Sequence, residues 1–367
     1  MKIIMETKNK ELVPFKATHP GIVLQAELEA RGIKHKAFAT LIGVQESRLS
    51  EFINGKRKVT PELAEKLEET LGISYDFWLR FQNRYDYNII QIAKRDEMER
   101  HAMSDEEKLG EKFNLTLIYK YLKMQLSSAV ERMRCLTDMG IMKMNLKTAG
   151  YFKHSSKVAF DLKNVRSWVF LAIYTVKEGG LKDGYEQGNA VLAANDIARK
   201  ANAGGIDVAY IKQTLNDYGI AYYRVKKLDK APIDAFSTRI DGKYAIVVTY
   251  RYNDMDKLVF DVLHELCHID RHFTDDNELF ISIEGAEYAD SAKEREANEF
   301  ARNTLIPQNV WRNILKADSN TYSPYKVVPV IARQAEKAGI SPSIAVSRYK
   351  KETSWYKTSL YRSAKIY

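Results

Sequence analysis

Cysteine is nearly missing from this chain: Cys135 and Cys267 are the only two in 367 residues, and they lie far apart. A disulfide framework is therefore excluded as the source of stability, and the usage suits a reducing cytosol. Long apolar runs are lacking as well. The most hydrophobic stretch, Val165 to Val176, is too short to span a bilayer and carries Arg166 and Lys177 at its ends, so it reads as a buried helix. No secretory leader is recognisable, and a cytoplasmic protein without membrane contact is expected. Internal repeats and a glycine-rich phosphate loop are also missing, which removes solenoids and phosphate-loop nucleotide binding from the reading.

What the chain does have is positive charge, unevenly placed. The net charge is +9. From Arg302 to Tyr367 there are 12 Lys and Arg against 3 Asp and Glu, while residues 19–86 are close to neutral. Tyrosines and basic residues interleave from Tyr349 to Lys365, a composition that suits nucleic acid, an acidic partner or simply a solvated face.

The N-terminal quarter carries a helical pattern with clear punctuation. His19-Pro20-Gly21 opens a helix whose apolar residues Leu24 and Leu28 keep the period up to Gly32. Lys36 to Leu41 predicts a short second helix ended by Gly43, and Gln45 to Ile53 a third, with Leu49 and Phe52 inward. Thr60-Pro61-Glu62 supplies an N-cap and a first-turn proline for a fourth helix that Gly72 stops. Helix, tight glycine turn, helix is the arrangement that places its second element in the DNA major groove. Helix geometry puts Gln45, Glu46, Ser47 and Arg48 at the groove-facing start of the third helix, with Glu51 further along. A glutamate there accepts from cytosine N4. Asn54, Lys56, Arg57 and Lys58 are the candidate phosphate contacts, which position a protein on DNA without reading sequence. Continuously from His19 to Asp86 the chain resembles the HigA-type antitoxins, a branch of the Cro-type (XRE) repressor fold. Its Lys34-His35-Lys36-Ala37-Phe38-Ala39 departs from the family's usual second helix, where a glutamine contacts phosphate. The resemblance implies a double-stranded DNA operator, a homodimer reading two half-sites, and a toxin protein as partner.

The second signal is His264-Glu265-Leu266-Cys267-His268. Residues four apart share one face of a helix, so both imidazoles reach a single Zn²⁺ while Glu265 stands beside a metal-bound water as general base. The flanks support a helix: Asp254 is a plausible N-cap, and Met255, Leu258, Val259, Val262, Leu263 and Leu266 recur at helical spacing. Arg271 and Thr274 stand where a metzincin needs glycine and histidine, so the third ligand must be sought elsewhere, as a carboxylate from a second helix. Lys293 to Ala301 is acidic and helical in composition. His272 reads either as support for His268 or as a surface histidine.

His264 to His268 followed by Glu294 to Pro307 resembles the ImmA/IrrE zinc metallopeptidase domain, which pairs this motif with a Glu-Ala-Asn-x-Phe-Ala helix ending in Leu-Ile-Pro. The resemblance implies His264 and His268 as histidine ligands, Glu265 as the catalytic carboxylate and Glu296 as the third ligand, with Glu294 and Glu299 open for that position. It also implies Zn²⁺ as cofactor and a protein substrate. Cys267 replaces the family's usual small residue and is expected to point away from the metal.

The expected fold class is α+β, mostly helical. It comprises an all-α helix-turn-helix domain (1–86, core 19–86), a helical middle region (87–216), an α+β zincin-like domain with a small mixed sheet (217–310) and a basic helical extension (311–367). Within the middle, helices are expected in Lys112 to Met144 and Ala190 to Asn202, with a flexible link around Met103-Ser104-Asp105. Strands are expected at Ile220 to Val225, Ala235 to Arg239, Tyr244 to Tyr250 and Leu279 to Ile283, with a hairpin turn at Asp241-Gly242. The strand at Tyr244 is expected to lie beside the metal-binding helix and offer an edge to an extended peptide. Two functions compete. One is an autorepressing, antitoxin-like regulator whose zinc peptidase cleaves a protein; the other is a binding-only repressor whose second half is sensory, structural or toxin-binding. The complete motif, Glu265 included, favours the first.

Overall fold

The computed structural model describes residues 13–144, 161–275, 279–283, 292–316, 324–357 and 359–367. It divides into two compact units. One takes the described residues up to Glu107 together with Leu126–Arg134, and the other takes Lys108–Gln125 and Cys135 onward.

The first unit opens with four short helices: α1 (Pro20–Ala30), α2 (His35–Leu41), α3 (Glu46–Ile53) and α4 (Pro61–Leu71). Their ends lie where local chemistry places them. His19 Nδ1 accepts from Gly21 N–H at 2.9 Å, Thr60 accepts from Leu63 N–H, and Gly72 closes α4 at φ +71°. Leu24, Leu28, Phe38, Leu49, Phe52 and Trp78 form the core. Gly21 is dictated by contact: a Cβ there would stand 2.1 Å from the Phe52 carbonyl oxygen, so only glycine lets α1 approach α3 this closely.

Helix α5 runs unbroken from Tyr75 to Gly110, through the position expected to be a flexible link. The stretch from Asp96 to Glu107 is strongly charged but contains neither glycine nor proline, so nothing interrupts its backbone bonding. Glu99 accepts from Ser128 Oγ, Ala129 N and Val130 N, while Arg132 makes a paired contact with the Glu106 carboxylate. These bonds tie the start of α7 (Ala129–Asp138) to α5.

The second unit holds α6 (Leu115–Leu122), a 3-10 turn at Ile141–Lys143, α8 (Leu162–Gly179), α9 (Asn189–Ala203) and α10 (Val208–Asp217). Strands β1 (Ile220–Arg224), β2 (Ile233–Ile240), β3 (Lys243–Val248) and β4 (Leu279–Ile283) follow, with α11 (Met255–Arg271) between the last two. The chain continues through α12 (Ala292–Leu305), α13 (Gln308–Lys316), α14 (Pro324–Lys337) and α15 (Pro342–Thr353). As expected, Val165 to Val176 lies within α8, and most of it is buried. No helix among the described residues is long and apolar enough to cross a membrane.

The sheet is mixed, in the order β1-β3-β2-β4. β1 lies parallel to β3, and β2 is antiparallel to both β3 and β4. Asp241 (φ +50°) and Gly242 (φ +75°) form the tight β2–β3 turn, the left-handed pair that a two-residue hairpin demands. Strand alternation gives β2 two roles: Phe236 meets Trp168 of α8 edge to face, while Ser237 points at Glu265 of α11. One expectation is overturned here. β3 is hydrogen-bonded on both sides, so it has no edge for a peptide; among the described residues β4 pairs with β2 alone.

The basic C-terminal region is largely built into this unit. Arg348 lies across Trp311 and donates to the Ile306 carbonyl, Gln308 and Glu352. The final residues cap the start of α11. Met255 N–H donates to Ala364 O, Asp256 N–H to Ser363 Oγ, and Asn253 exchanges hydrogen bonds with the backbone of Ile366 and Tyr367. Cys135 and Cys267 are buried free thiols.

Candidate metal centre and helix-turn-helix surface

Helix α11 begins as its sequence dictates, with Asp254 accepting from Lys257 N–H. Its middle is buried on every side, between the sheet, α9 and α12. Such a position is costly for polar groups unless each is paired, and each is. His264 Nε2 and His268 Nε2 stand 3.1 Å apart, and the Glu294 carboxylate of α12 reaches them at 3.1 and 3.3 Å. One donor atom from each of the three lies within 4.8 Å of the others, and all three residues are buried.

Of the three acidic residues left open by the sequence, it is Glu294 that the structure brings to the histidines. Glu296, the expected third member, stands elsewhere: its oxygens take Arg271 Nη1 at 2.8 Å and His272 Nε2 at 3.1 Å. Two residues along a helix is a rotation of about 200°, so 294 and 296 cannot share a face. Glu299 is exposed.

The outer nitrogens of both imidazoles are occupied. His264 Nδ1 faces Asn298 Oδ1 at 3.2 Å, one turn after Glu294 on α12, and His268 Nδ1 faces His272 Nδ1 at 2.8 Å. Phe280 of β4 stacks on His268 with ring centroids 4.3 Å apart. Burial opposes ionisation of Glu294, but hydrogen bonds and charge from the two histidines prevail and hold its carboxyl at about 2. Desolvation, aided by repulsion from His264, carries His268 down to about 4. For His264 desolvation is outweighed by Glu294, Glu265 and Asp261, and its pKa rises. Two imidazole nitrogens and a carboxylate oxygen that converge within 4.8 Å of one another are a donor set that fits Zn²⁺.

Glu265 is fully buried, and Ser237 Oγ donates to its Oε2 at 2.5 Å. Cys267 is buried in the core, its thiol pushed up to about 12 by desolvation, and it is outside the ligand group. Beside the site, Lys257 bridges Asp234 at 3.1 Å and Asp261 at 2.5 Å, with Arg251 closing on Asp234. Sequence reasoning missed Ser237 and Asn298. The signal for Asn298 was its place four residues after Glu294; Ser237 carried none beyond a polar residue on a buried strand.

In the first unit, Gln45, Glu46, Ser47 and Arg48 are exposed at the start of α3, with Gln45 as its N-cap residue. The expected phosphate contacts are more committed. Arg57 pairs with Glu51, Lys58 with Asp86 at 2.7 Å, and Asn54 Nδ2 donates to Ser50 O at 2.8 Å, while Lys56 is exposed. Pairing with Arg57 lowers the Glu51 pKa, keeping it anionic.

Residues 24–78 match the helix-turn-helix family profile, and residues 206–350 match the IrrE N-terminal-like domain, a peptidase family. The first segment is similar to virulence-associated protein A' of Dichelobacter nodosus, 38% identical over 69 residues, which are 18% of this chain and 60% of that protein. It is also similar to virulence-associated protein A of Dichelobacter nodosus (41% over 69 residues, 18% of this chain and 68% of that protein). A third relative is the uncharacterized HTH-type transcriptional regulator YddM of Escherichia coli strain K12 (33% over 66 residues, 18% and 70%). Among solved structures, an addiction module antidote protein of a HigA family from Coxiella burnetii is 25% identical. It covers 23% of this chain and 95% of its own, with a TM-score of 0.22.

Proposed function

This chain belongs to the helix-turn-helix transcriptional regulators, with an IrrE N-terminal-like peptidase domain joined to that module, and on this premise we propose a DNA-binding regulator that cleaves a protein substrate with zinc. The observation that carries the peptidase half is the buried group of His264, His268 and Glu294 with Glu265 one residue from the first histidine. His264, His268 and Glu294 would hold the metal, which when bound polarises a peptide carbonyl and makes water acidic enough to deprotonate near neutral pH. Glu265 accepts the proton of the attacking water and delivers it to the departing amine. Ser237 orients Glu265 through its hydrogen bond. Asn298 holds His264 with its Nε2 lone pair inward.

The helix-turn-helix half docks the exposed start of α3 in the major groove of an operator, with Gln45, Glu46, Ser47 and Arg48 at the base edges and Lys56 on phosphate. In keeping with the antitoxin resemblance of residues 19–86, the regulator acts as a homodimer, represses its own operator and has a toxin protein as partner. Cleavage of a regulator, a toxin or a second copy of the chain would couple proteolysis to derepression. A binding-only reading draws on one observation: Glu265 is fully enclosed and already engaged by Ser237.

The test is incubation of zinc-loaded protein and its Glu265→Gln variant, each with itself and with candidate regulator or toxin proteins, alongside operator binding. Cleavage by the wild type alone, with equal operator binding by both, is the expected result. Zinc in both proteins with identical fragments, or none, across all pairings contradicts the peptidase half.

A further inference from the structure

Glu296 and His272 are both left over by the metal reading, yet they form a continuous chain that ends on one of its histidines. Arg271 Nη1 donates to Glu296 Oε1 at 2.8 Å, Glu296 Oε2 meets His272 Nε2 at 3.1 Å, and His272 Nδ1 meets His268 Nδ1 at 2.8 Å. The directions of these bonds follow from the group at the outer end. A carboxylate paired with a guanidinium only accepts, so His272 Nε2 must carry the proton that it donates to Glu296. A neutral imidazole has one proton, so His272 Nδ1 is then an acceptor. With His272 neutral, His268 Nδ1 is the donor and the lone pair of His268 lies on Nε2, against the pull of the Glu294 carboxylate, which stands 3.3 Å from Nε2 and favours a proton there. Reversing either bond of a neutral His272 sets two protons or two lone pairs against each other.

We infer that His272, held by Glu296 and Arg271, is a positioning residue that sets the tautomer and ring orientation of His268 so that Nε2 faces the candidate metal centre. The placement supports this independently of the bond directions. His272 is buried at the C-terminal end of α11 although its partner Glu296 is exposed, and Lys293 Nζ reaches its carbonyl at 3.3 Å. Phe280 stacks on His268 and lies against His272, which keeps both rings in line. His264 has a separate support in Asn298 on α12. The two imidazoles are thus oriented by different residues, and each support can be removed without touching the other.

The importance for zinc rests on the metal reading above, but the tautomer does not, so the two are measured separately. Nitrogen-15 histidine spectra of the metal-free full chain at mildly alkaline pH report which ring nitrogen carries the proton. Zinc affinity is read by competition with a chromophoric chelator. The wild type is expected to show His268 protonated on Nδ1. His272→Ala should lose that preference and weaken zinc roughly 10- to 100-fold, the usual effect of removing a residue that orients a ligand. His272→Gln keeps a carbonyl able to accept from His268 Nδ1 and should recover both the tautomer and most of the affinity, whereas a purely space-filling role would not discriminate in this way. His264 should be unchanged throughout. A wild-type protein that binds no zinc yet shows the Nδ1-protonated tautomer, lost in His272→Ala, sinks the metal reading and supports the positioning role. His268 protonated on Nε2 in the wild type, or a tautomer and affinity indifferent to His272→Ala, overturns the inference.

Discussion

Asp256 offers a quantitative test of how the chain braces its central helix. It sits in the first turn of α11, beneath residues 363–367, with its backbone N–H bonded to Ser363 Oγ at 2.8 Å. Its Oδ2 is sealed from water and has no hydrogen-bond partner. Desolvation therefore raises the carboxyl to about 6 despite bonds from Ser343 and Ser363 and the charge of Lys350; Asp254 adds to the rise. In the unfolded chain the same group ionises near 4. Between those values the native state binds the extra proton, so stability falls as pH rises from about 4 to about 6. Two pH units correspond to about 2 to 3 kcal/mol. Asp256→Asn removes the charge while keeping shape and polarity, so at pH above this window the variant should exceed the wild type in stability by about 2 kcal/mol, and below it the two should converge. Calorimetric unfolding of both proteins across this range measures the difference directly. A gap that is constant with pH, or that grows toward acid, would refute the account of this carboxyl.

Other consequences follow from close contacts elsewhere. Lys257→Met strips the cation from between Asp234 and Asp261 and should cost about 3 kcal/mol in urea unfolding, most of it recovered when Asp261→Asn is added, because the penalty lies in the stranded buried charge. Gly21→Ala drives a methyl into the backbone at Phe52 and Ile53; a loss of about 2 kcal/mol or more and weaker operator binding are expected, and unchanged unfolding would contradict the close α1–α3 approach. Lys56→Ala should weaken binding to operator and unrelated DNA alike and flatten the salt dependence, whereas Arg48→Ala should act chiefly on the operator, as titrations at several ionic strengths would reveal.

Much of this architecture is legible in the sequence because it is local. The caps at His19, Thr60 and Asp254, the stop at Gly72 and the Asp241-Gly242 turn each act within a few residues of themselves, and their helices and hairpin lie where those residues place them. What escaped is relational. The strand at Tyr244 is central because β1 pairs along the side that the hairpin with β2 leaves open, an arrangement decided outside the hairpin. Glu294 rather than Glu296 meets the histidines because of how α12 is rotated against α11, and spacing along α12 alone does not carry that phase. The charged run Asp96 to Glu107 resembles a link by composition, yet Glu99 and Glu106 find their partners in Ser128, Ala129 and Arg132, which sequence proximity does not disclose.

The most direct measurement is zinc content by mass spectrometry after dialysis against a buffered zinc solution, compared among the wild type, Glu294→Ala and Glu296→Ala. One zinc per chain is expected in the wild type, none in Glu294→Ala, and zinc retained by Glu296→Ala. Zinc retained by Glu294→Ala and lost from Glu296→Ala, or a wild type that takes up none, would contradict the assignment of Glu294 to the metal centre.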